Sequence, residues 1–401
     1  MKILLCYTRF PWPLNKGDAL TVFKLLEFLT LRHQVDFLTV DPLDHTYMHL
    51  LPSKIRSVIL VPNPISAQVL RLMRSIPTGR SLQVEAFFGR PFASARDRLL
   101  RQNNYDIVYS HYIRSFGHGD FNPRGARKVI GLQLSHQAHF VRAAENERNP
   151  LVRWLYGIET GRLEHWEGRI AGYNDLIHLI SPRDLARIKN NHKWRSRVFF
   201  NPHGVDPEEF APAPASRVRG RLIFTGNLGF QANEDAVLWL LREIWPRVFA
   251  ACPFAELVVA GARPTAAIRS AVSSAPSARL IAHPARMAEV VQTGDVAIDP
   301  LRIGAGLQNK ILEAMSCALP VVATRLANEG IGAYENREIV LADDAESLAA
   351  QVIKLLDDRD YNRKLGRNAR TFIELSWSWS HHFRQLEDRW LALVSEAVSV
   401  R

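Results

Sequence analysis

Asp299-Pro-Leu-Arg-Ile-Gly-Ala-Gly-Leu-Gln-Asn-Lys-Ile-Leu-Glu313-Ala-Met-Ser-Cys-Ala-Leu-Pro-Val-Val-Ala-Thr324 is a loop and a helix set between two apolar runs. Val296 to Ile298 ahead of it predicts a buried strand, and Pro320 to Thr324 predicts a second. The loop bears Arg302 and two glycines, and the periodicity predicts a helix from Leu307 to Cys317. Gly304 and Gly306 let backbone N–H groups approach a ligand closely, and the helix N-terminus adds partial positive charge. That combination is a seat for a diphosphate. Lys310 and Glu313, spaced i and i+3, share a helix face, so an ammonium and a carboxylate can meet the phosphate and sugar portions of one nucleotide.

Outward from this stretch, short apolar runs alternate with helical stretches, the pattern of parallel sheets flanked by helices and hence an α/β protein. The expected strands of the first half are Ile3 to Tyr7, Gln34 to Val40, Ser57 to Val61, Ile107 to Ser110, Val129 to Leu134 and Leu176 to Ile180, with a helix from Leu20 to Thr30. Those of the second half are Arg221 to Thr225, Leu257 to Ala260, Arg279 to Ala282, Val296 to Ile298, Val321 to Ala323 and Ile339 to Leu341. Two Rossmann-like sheets follow. Between them Phe200 to Ala215 concentrates proline, glycine and aspartate and reads as a linker or hinge. Helices are expected over Ala345 to Leu356, Tyr361 to Leu375 and Trp377 to Val398, the last anchored by Trp377, Trp379, Phe383 and Trp390 as packing residues.

At 401 residues the chain exceeds one ordinary core, and 47% hydrophobic with 23% charged residues is a globular balance. No run approaches the length of a membrane helix, and Met1 to Tyr7 reads as a first strand rather than a leader, so a cytosolic protein is expected. Cys6, Cys252 and Cys317 lie far apart in apolar segments and read as buried thiols. The net charge of +11 is uneven: residues 1–200 hold 29 Lys+Arg against 16 Asp+Glu, residues 201–401 only 22 against 24. Such a field points the N-terminal half toward an anionic partner, a diphosphate substrate or an acidic membrane surface. Nucleic acid is not expected, since no helix-turn-helix, zinc spacing or aromatic RNA motif is present. Ser66 to Ile76 places Val69, Leu70, Met73 and Ile76 at helical spacing beside Arg71 and Arg74; it reads either as a helix resting on an anionic membrane or, slightly favoured, as a domain helix burying that stripe. Asp357-Asp-Arg-Asp360 is read as an exposed turn rather than a metal site.

Several segments, in order along the chain, resemble the retaining GT-B glycosyltransferases of the group 1 or family 4 type, similar to bacterial exopolysaccharide sugar transferases. They are Arg9-Phe-Pro-Trp-Pro-Leu-Asn-Lys-Gly-Asp18, Tyr105-Asp-Ile-Val-Tyr109, Asn201-Pro-His-Gly-Val-Asp206, Pro300 to Thr324 and Asn328-Glu-Gly-Ile331. The resemblance implies two Rossmann-like domains facing each other across a cleft: residues 1–200 for the acceptor, 201–375 for a nucleotide sugar, and 376–401 a helix packing back on the first domain. It implies transfer of a sugar from a nucleotide diphosphate sugar to a hydroxyl acceptor with retention, no bound metal, no cofactor beyond the donor, and a glycan or lipid-linked acceptor; with the basic first half, the expected location is the cytoplasm or the inner face of the membrane.

Cleaving a sugar–diphosphate bond creates an oxocarbenium-like centre and a departing diphosphate, which fixed cations and backbone dipoles stabilise. Arg302 and Lys310 are the candidates for that work, and Gly226, Asn227, Gly304, Ala305, Gly306, Leu307, Asn309 and Glu313 are the candidate donor contacts. Glu313 matches the second glutamate of the family's E-x7-E motif and resembles a ribose-binding carboxylate; its plain alternative is a solvated carboxylate paired with Lys310. The first glutamate is replaced by Ala305, and Phe224 to Asn233 has asparagines where many relatives carry an arginine and a lysine. These departures leave room for a GT-B protein that binds a nucleotide sugar or a partner without transfer, or for a nucleotide-sugar epimerase. The family's histidine after the fifth strand has no clear counterpart; His136 is the catalytic candidate, a surface histidine the alternative, and Gln133 lies in the same region. His111 and Arg114 follow a strand's carboxyl end, where open α/β sheets place ligands, and either faces the acceptor or caps a helix. Gly17 and Asp18 open the first helix, with Asp18 as either a cleft residue or a simple N-cap.

Overall fold

The computed structural model describes every residue except 15–16, 43, 118–120, 122, 148, 190–197, 305–306 and 400–401. Each expected apolar run forms a strand. They are β1 (Lys2–Tyr7), β2 (Gln34–Val40), β3 (Ser57–Val61), β4 (Ile107–His111), β5 (Arg127–Gln133) and β6 (Leu176–Leu179), followed by β7 (Val198–Phe200), which the sequence reading missed. After the linker come β8 (Arg221–Asn227), β9 (Glu256–Ala262), β10 (Ala278–Ala282), β11 (Val296–Asp299), β12 (Val321–Ala323) and β13 (Val340–Leu341). The first seven make one parallel sheet in the order β3-β2-β1-β4-β5-β6-β7, and the last six a second, β10-β9-β8-β11-β12-β13. Helices cover both faces of a parallel sheet, which is why its central strands are apolar throughout rather than alternating. Ile3 to Cys6 and Leu257 to Ala260 are all fully buried.

The chain divides into two compact units, Met1–Pro202 with Phe383–Arg401, and His203–His382. The second closes on itself where Val205 exchanges backbone hydrogen bonds with Trp377 and Trp379. Trp377 and Trp379 therefore belong to that unit, whereas Phe383 and Trp390 are buried in the first, with Trp390 against Tyr109 at 5.3 Å. All four aromatics are buried, as expected of packing residues.

Two expectations are corrected. The helix after the loop begins at Asn309 and ends at Ser316, so Leu307 lies before it, while Ala305 and Gly306 fall outside the described residues. The stripe on the helix Ile65–Ser75 is not buried: Ile65, Val69, Leu70, Met73 and Ile76 are between 47% and 72% exposed. Asp357, Asp358 and Asp360 are exposed, as expected, and Asp358 also accepts from the backbone of Tyr361 to cap the helix Arg359–Ser376. Cys6, Cys252 and Cys317 are buried free thiols, as expected, and burial raises all three. No described helix is long and apolar enough to cross a membrane.

Candidate functional site

Open α/β sheets collect ligands at the carboxyl ends of their strands where the strand order reverses. In the second unit the chain builds β8, β9 and β10 outward, then returns to lay β11 on the other side of β8, so the reversal lies between β8 and β11. The quoted stretch leaves the end of β11 at that point. Neighbouring β8 ends in Gly226 and Asn227, and close approach to β9 fixes glycine at Gly261: a Cβ there would lie 1.7 Å from the Gly226 carbonyl oxygen.

A polar chain crosses the reversal. Asn233, on the helix Gln231–Trp239, donates to the Asn227 carbonyl (2.9 Å) and accepts from Lys310 Nζ (2.7 Å). Lys310 also forms an ion pair with Asp299 at 3.1 Å and lies over the Phe224 ring at 4.7 Å. Asp299, the last residue of β11, is almost fully buried; burial raises its carboxyl, and Lys310 opposes the rise. Asp299 and Asn233 are the site residues that sequence reasoning missed. A signal for Asp299 existed, an acidic residue closing an apolar strand, but Glu313 offered Lys310 a nearer partner in sequence.

Lys310 and Glu313 are not paired. Glu313 is partly buried and has no hydrogen-bond or ion-pair partner among the described residues. Burial pushes its carboxyl up to about 7, Glu209 adds to the rise and Lys310 counters it. An acceptor pair without donors, one turn into a helix whose N-terminal N–H groups carry no side-chain cap, is the open feature of this unit. Arg302 is more committed than expected: its guanidinium bonds Asp235 at 2.7 and 3.1 Å and lies 4.7 Å above Trp239, yet its side chain remains 44% exposed. Gly304 takes φ +112°, a backbone that favours glycine. Asn328 is spent on its own loop, bonding both backbone groups of Ala333.

In the first unit the order reverses between β1 and β4. Asp18 there is no simple N-cap: it accepts from the Tyr7 hydroxyl (2.9 Å) and pairs with Arg9 (3.2 Å). Burial works against its charge, but Tyr7 and Arg9 hold it below the usual carboxylate range. Arg114 is buried between the rings of Phe87 (4.6 Å) and Tyr112 (4.9 Å), and Arg9 lies over the same Phe87 ring at 4.7 Å. His111 ends β4, packs edge-on to Tyr7 and meets the Tyr109 hydroxyl at 2.9 Å. Gln133 ends β5 with φ +69°, and Tyr112 has φ +71°, two side-chain-bearing residues in left-handed backbone at the ends of adjacent strands. Gly17 begins the first helix and is exposed.

His136 is not on the surface. The residue is 4% exposed, its ring lies edge-on to Tyr112, and burial with Arg114 nearby pushes it down to about 3, so it is neutral. It opens the helix His136–Asn146, whose first N–H groups are held by Glu167. Among the candidates, Asp18, His111 and Arg114 gather round Tyr7 and Tyr112, His136 meets that group through Tyr112, and in the other unit Gly226, Asn227 and Lys310 meet through Asn233, with Glu313 one turn after Lys310 on the same helix.

The comparisons agree with this architecture. Residues 219–358 match the model of the family described as Glycosyl transferases group 1. An uncharacterized 44.6 kDa protein in the cps region of Klebsiella pneumoniae is 22% identical over 93% of this chain and 95% of its own length. A GDP-mannose-dependent phosphatidylinositol monomannoside mannosyltransferase of Mycobacterium tuberculosis is 24% identical over 55% of this chain and 62% of its own. Among solved structures, sucrose-phosphate synthase from Thermosynechococcus elongatus superposes with TM-score 0.68 at 16% identity, covering 98% of this chain and 99% of that one. Anabaena HepE in complex with UDP-glucose superposes with TM-score 0.62 at 13% identity, covering 100% of both. The molecule thus has the two-domain α/β GT-B fold. It is a glycosyltransferase, and its second unit carries the group 1 domain.

Proposed function

We propose that the chain transfers a sugar, with retention of configuration and without a metal ion, from a nucleotide diphosphate sugar to a hydroxyl of a glycan or lipid-linked acceptor. The observation that carries this is Glu313, an unpartnered carboxylate beside an uncapped helix N-terminus at the reversal of the second sheet. Its two oxygens suit the paired hydroxyls of a ribose, and the N–H groups at the start of the helix suit a diphosphate. Lys310, oriented by Asp299 and Asn233, supplies a fixed charge nearby. The exposed Arg302 adds a second, by exchanging the half-buried Asp235 for phosphate. The complexes of HepE with UDP and UDP-glucose support a nucleotide-sugar donor. Retention rests on the resemblance of Pro300 to Thr324.

The acceptor role falls to the first unit, where Arg9 and Asp18 supply polar contacts and the buried His111 and Arg114 lie behind them. The cps-region relative supports a role in polysaccharide or glycolipid assembly. Peripheral attachment to an anionic membrane fits the exposed stripe Ile65 to Ile76 and the basic excess of residues 1–200. Ala305, in place of the first glutamate of the motif, favours a second reading in which the protein binds a donor without transferring it.

A thermal-shift screen of nucleotide sugars identifies the donor. Transfer of the labelled sugar into a membrane extract, with the product's anomeric configuration read by NMR, then tests the reaction. Unchanged donor affinity in Glu313→Ala removes the site assignment; binding with neither transfer nor hydrolysis establishes the second reading.

A further inference from the structure

The second half of the chain is slightly acidic, yet six of its arginines line one pocket. Arg359, Arg363, Arg367 and Arg370 recur at helical spacing along one side of the helix Arg359–Ser376, and Arg217 and Arg219 face them from the segment before β8. The pocket encloses about 660 Å³, room for a ligand with several phosphate groups. It lies at the amino ends of the strands, whereas the helix of Lys310 begins beyond the carboxyl end of β11: Arg217 precedes β8, Arg359 pairs with Asp295 just ahead of β11 (2.6 Å), and Ala318 precedes β12.

The arginines divide into a frame and a free set. Arg217 donates to the Cys317 and Ala318 carbonyls, and Arg370 to those of Pro207, Phe210 and Ser316. Carbonyl partners orient these cations without cancelling their charge. The carboxylates within reach are few: Asp295 for Arg359, Glu374 for Arg370, and Asp360 only 3.9 Å from Arg363. Arg363 and Arg367 are exposed, and Arg367 has no ion-pair or side-chain hydrogen-bond partner among the described residues. Burial lowers Arg217; Asp295 opposes the shift, and Arg359 and Arg363 add to it.

We propose that this pocket is a second binding site, distinct from the donor site, for a phosphate-bearing polyanion, either a free polyphosphorylated metabolite or the headgroup of an anionic phospholipid. Planar guanidinium forks from two chain segments suit the several oxygens of adjacent phosphates. Arg217 and Arg370 also hold the last carbonyls of the stretch whose first turn carries Lys310, so a bound anion draws on the groups that anchor the donor helix.

The test is calorimetric titration of the full chain with inorganic tripolyphosphate, beside co-sedimentation with phosphatidylglycerol vesicles. Arg363→Ala/Arg367→Ala is expected to weaken tripolyphosphate binding about tenfold or more, while Lys310→Ala/Glu313→Ala leaves this site's binding intact. Both arginines are exposed, so thermal melting of their variant is expected to match the parent. Arginine-dependent capture by vesicles, with no free tripolyphosphate binding, identifies a lipid headgroup; the reverse identifies a soluble ligand. Absence of arginine-dependent binding in both arms overturns the proposal. Tripolyphosphate binding lost only in Lys310→Ala/Glu313→Ala overturns it too, and leaves the donor site standing.

Discussion

Glu313 carries a conflict between folding and binding that fixes the sign of two measurements. Its folded carboxyl is raised to about 7 from an ordinary 4.5, so folding favours the protonated form. Stability from this group is fully present below about pH 4.5 and is lost as pH rises through 7. Glu313→Gln is therefore expected to stabilise the protein above pH 7 by about 1–2 kcal/mol, after allowance for partial exposure, and to change nothing at pH 4, as read by denaturant unfolding at the two pH values. Donor affinity is expected to move oppositely, falling in the parent as pH drops through 7 because the ionised carboxylate is the better acceptor of hydroxyl hydrogens. Equal stability gains at both pH values would refute the burial of a charged Glu313.

Lys310 is expected to matter first for folding. Lys310→Ala orphans the buried Asp299, a loss of roughly 3 kcal/mol in denaturant unfolding, and adding Asp299→Asn is expected to restore most of it. Donor binding that stays weak in the restored double variant separates the ligand role of Lys310 from its structural one.

At the scale of elements, the parallel strands were legible because each is an apolar run bounded by turn residues. β7 was not, since its three residues follow the charged segment Lys193 to Arg197. The donor helix was legible through its glycines and its Lys310 and Glu313 spacing. The Lys310–Asp299 pair was not, because it joins a helix to a strand end through the fold alone. The stripe of arginines from Arg359 to Arg370 was visible in the sequence, but their gathering round one cavity depends on Arg217, more than a hundred residues upstream.

A similar long-range device fixes two helices of the first unit. On the helix Pro150–Tyr173, Glu159 accepts from Ser81 Oγ and the N–H groups of Leu82 and Gln83, and Glu167 accepts from Ser135 Oγ and the N–H groups of His136 and Gln137. One helix thereby caps the N-termini of two others. Glu167→Ala strands buried N–H donors and is expected to cost about 2 kcal/mol by denaturant unfolding, whereas Glu164→Ala, exposed on the same helix, stays within about 0.5 kcal/mol. Equal costs would assign the effect to helix propensity instead of capping.

For the whole molecule, the order of the chain differs from the order of its units. The first unit is completed only after the second has been made, by the helix that runs from Trp379 to Ser399. From Phe383 onward that helix supplies Trp390 beneath Tyr109, Glu387 to His33 at 2.6 Å, and the Leu393 carbonyl to Arg127. The second unit, by contrast, is closed by residues 203–205 and 377–379 and needs nothing beyond His382. Ending the chain at His382 is thus expected to separate thermal unfolding into two transitions, with that of Met1–Pro202 lowered and that of His203–His382 unchanged. Trp390→Ala in the full chain shifts the same lower transition, through a cavity worth about 3–5 kcal/mol beneath the sheet. Calorimetry with limited proteolysis assigns each transition to its unit. A truncated chain that melts as the parent does would show that the last helix adds nothing to the first unit's core, despite the complete burial of Trp390.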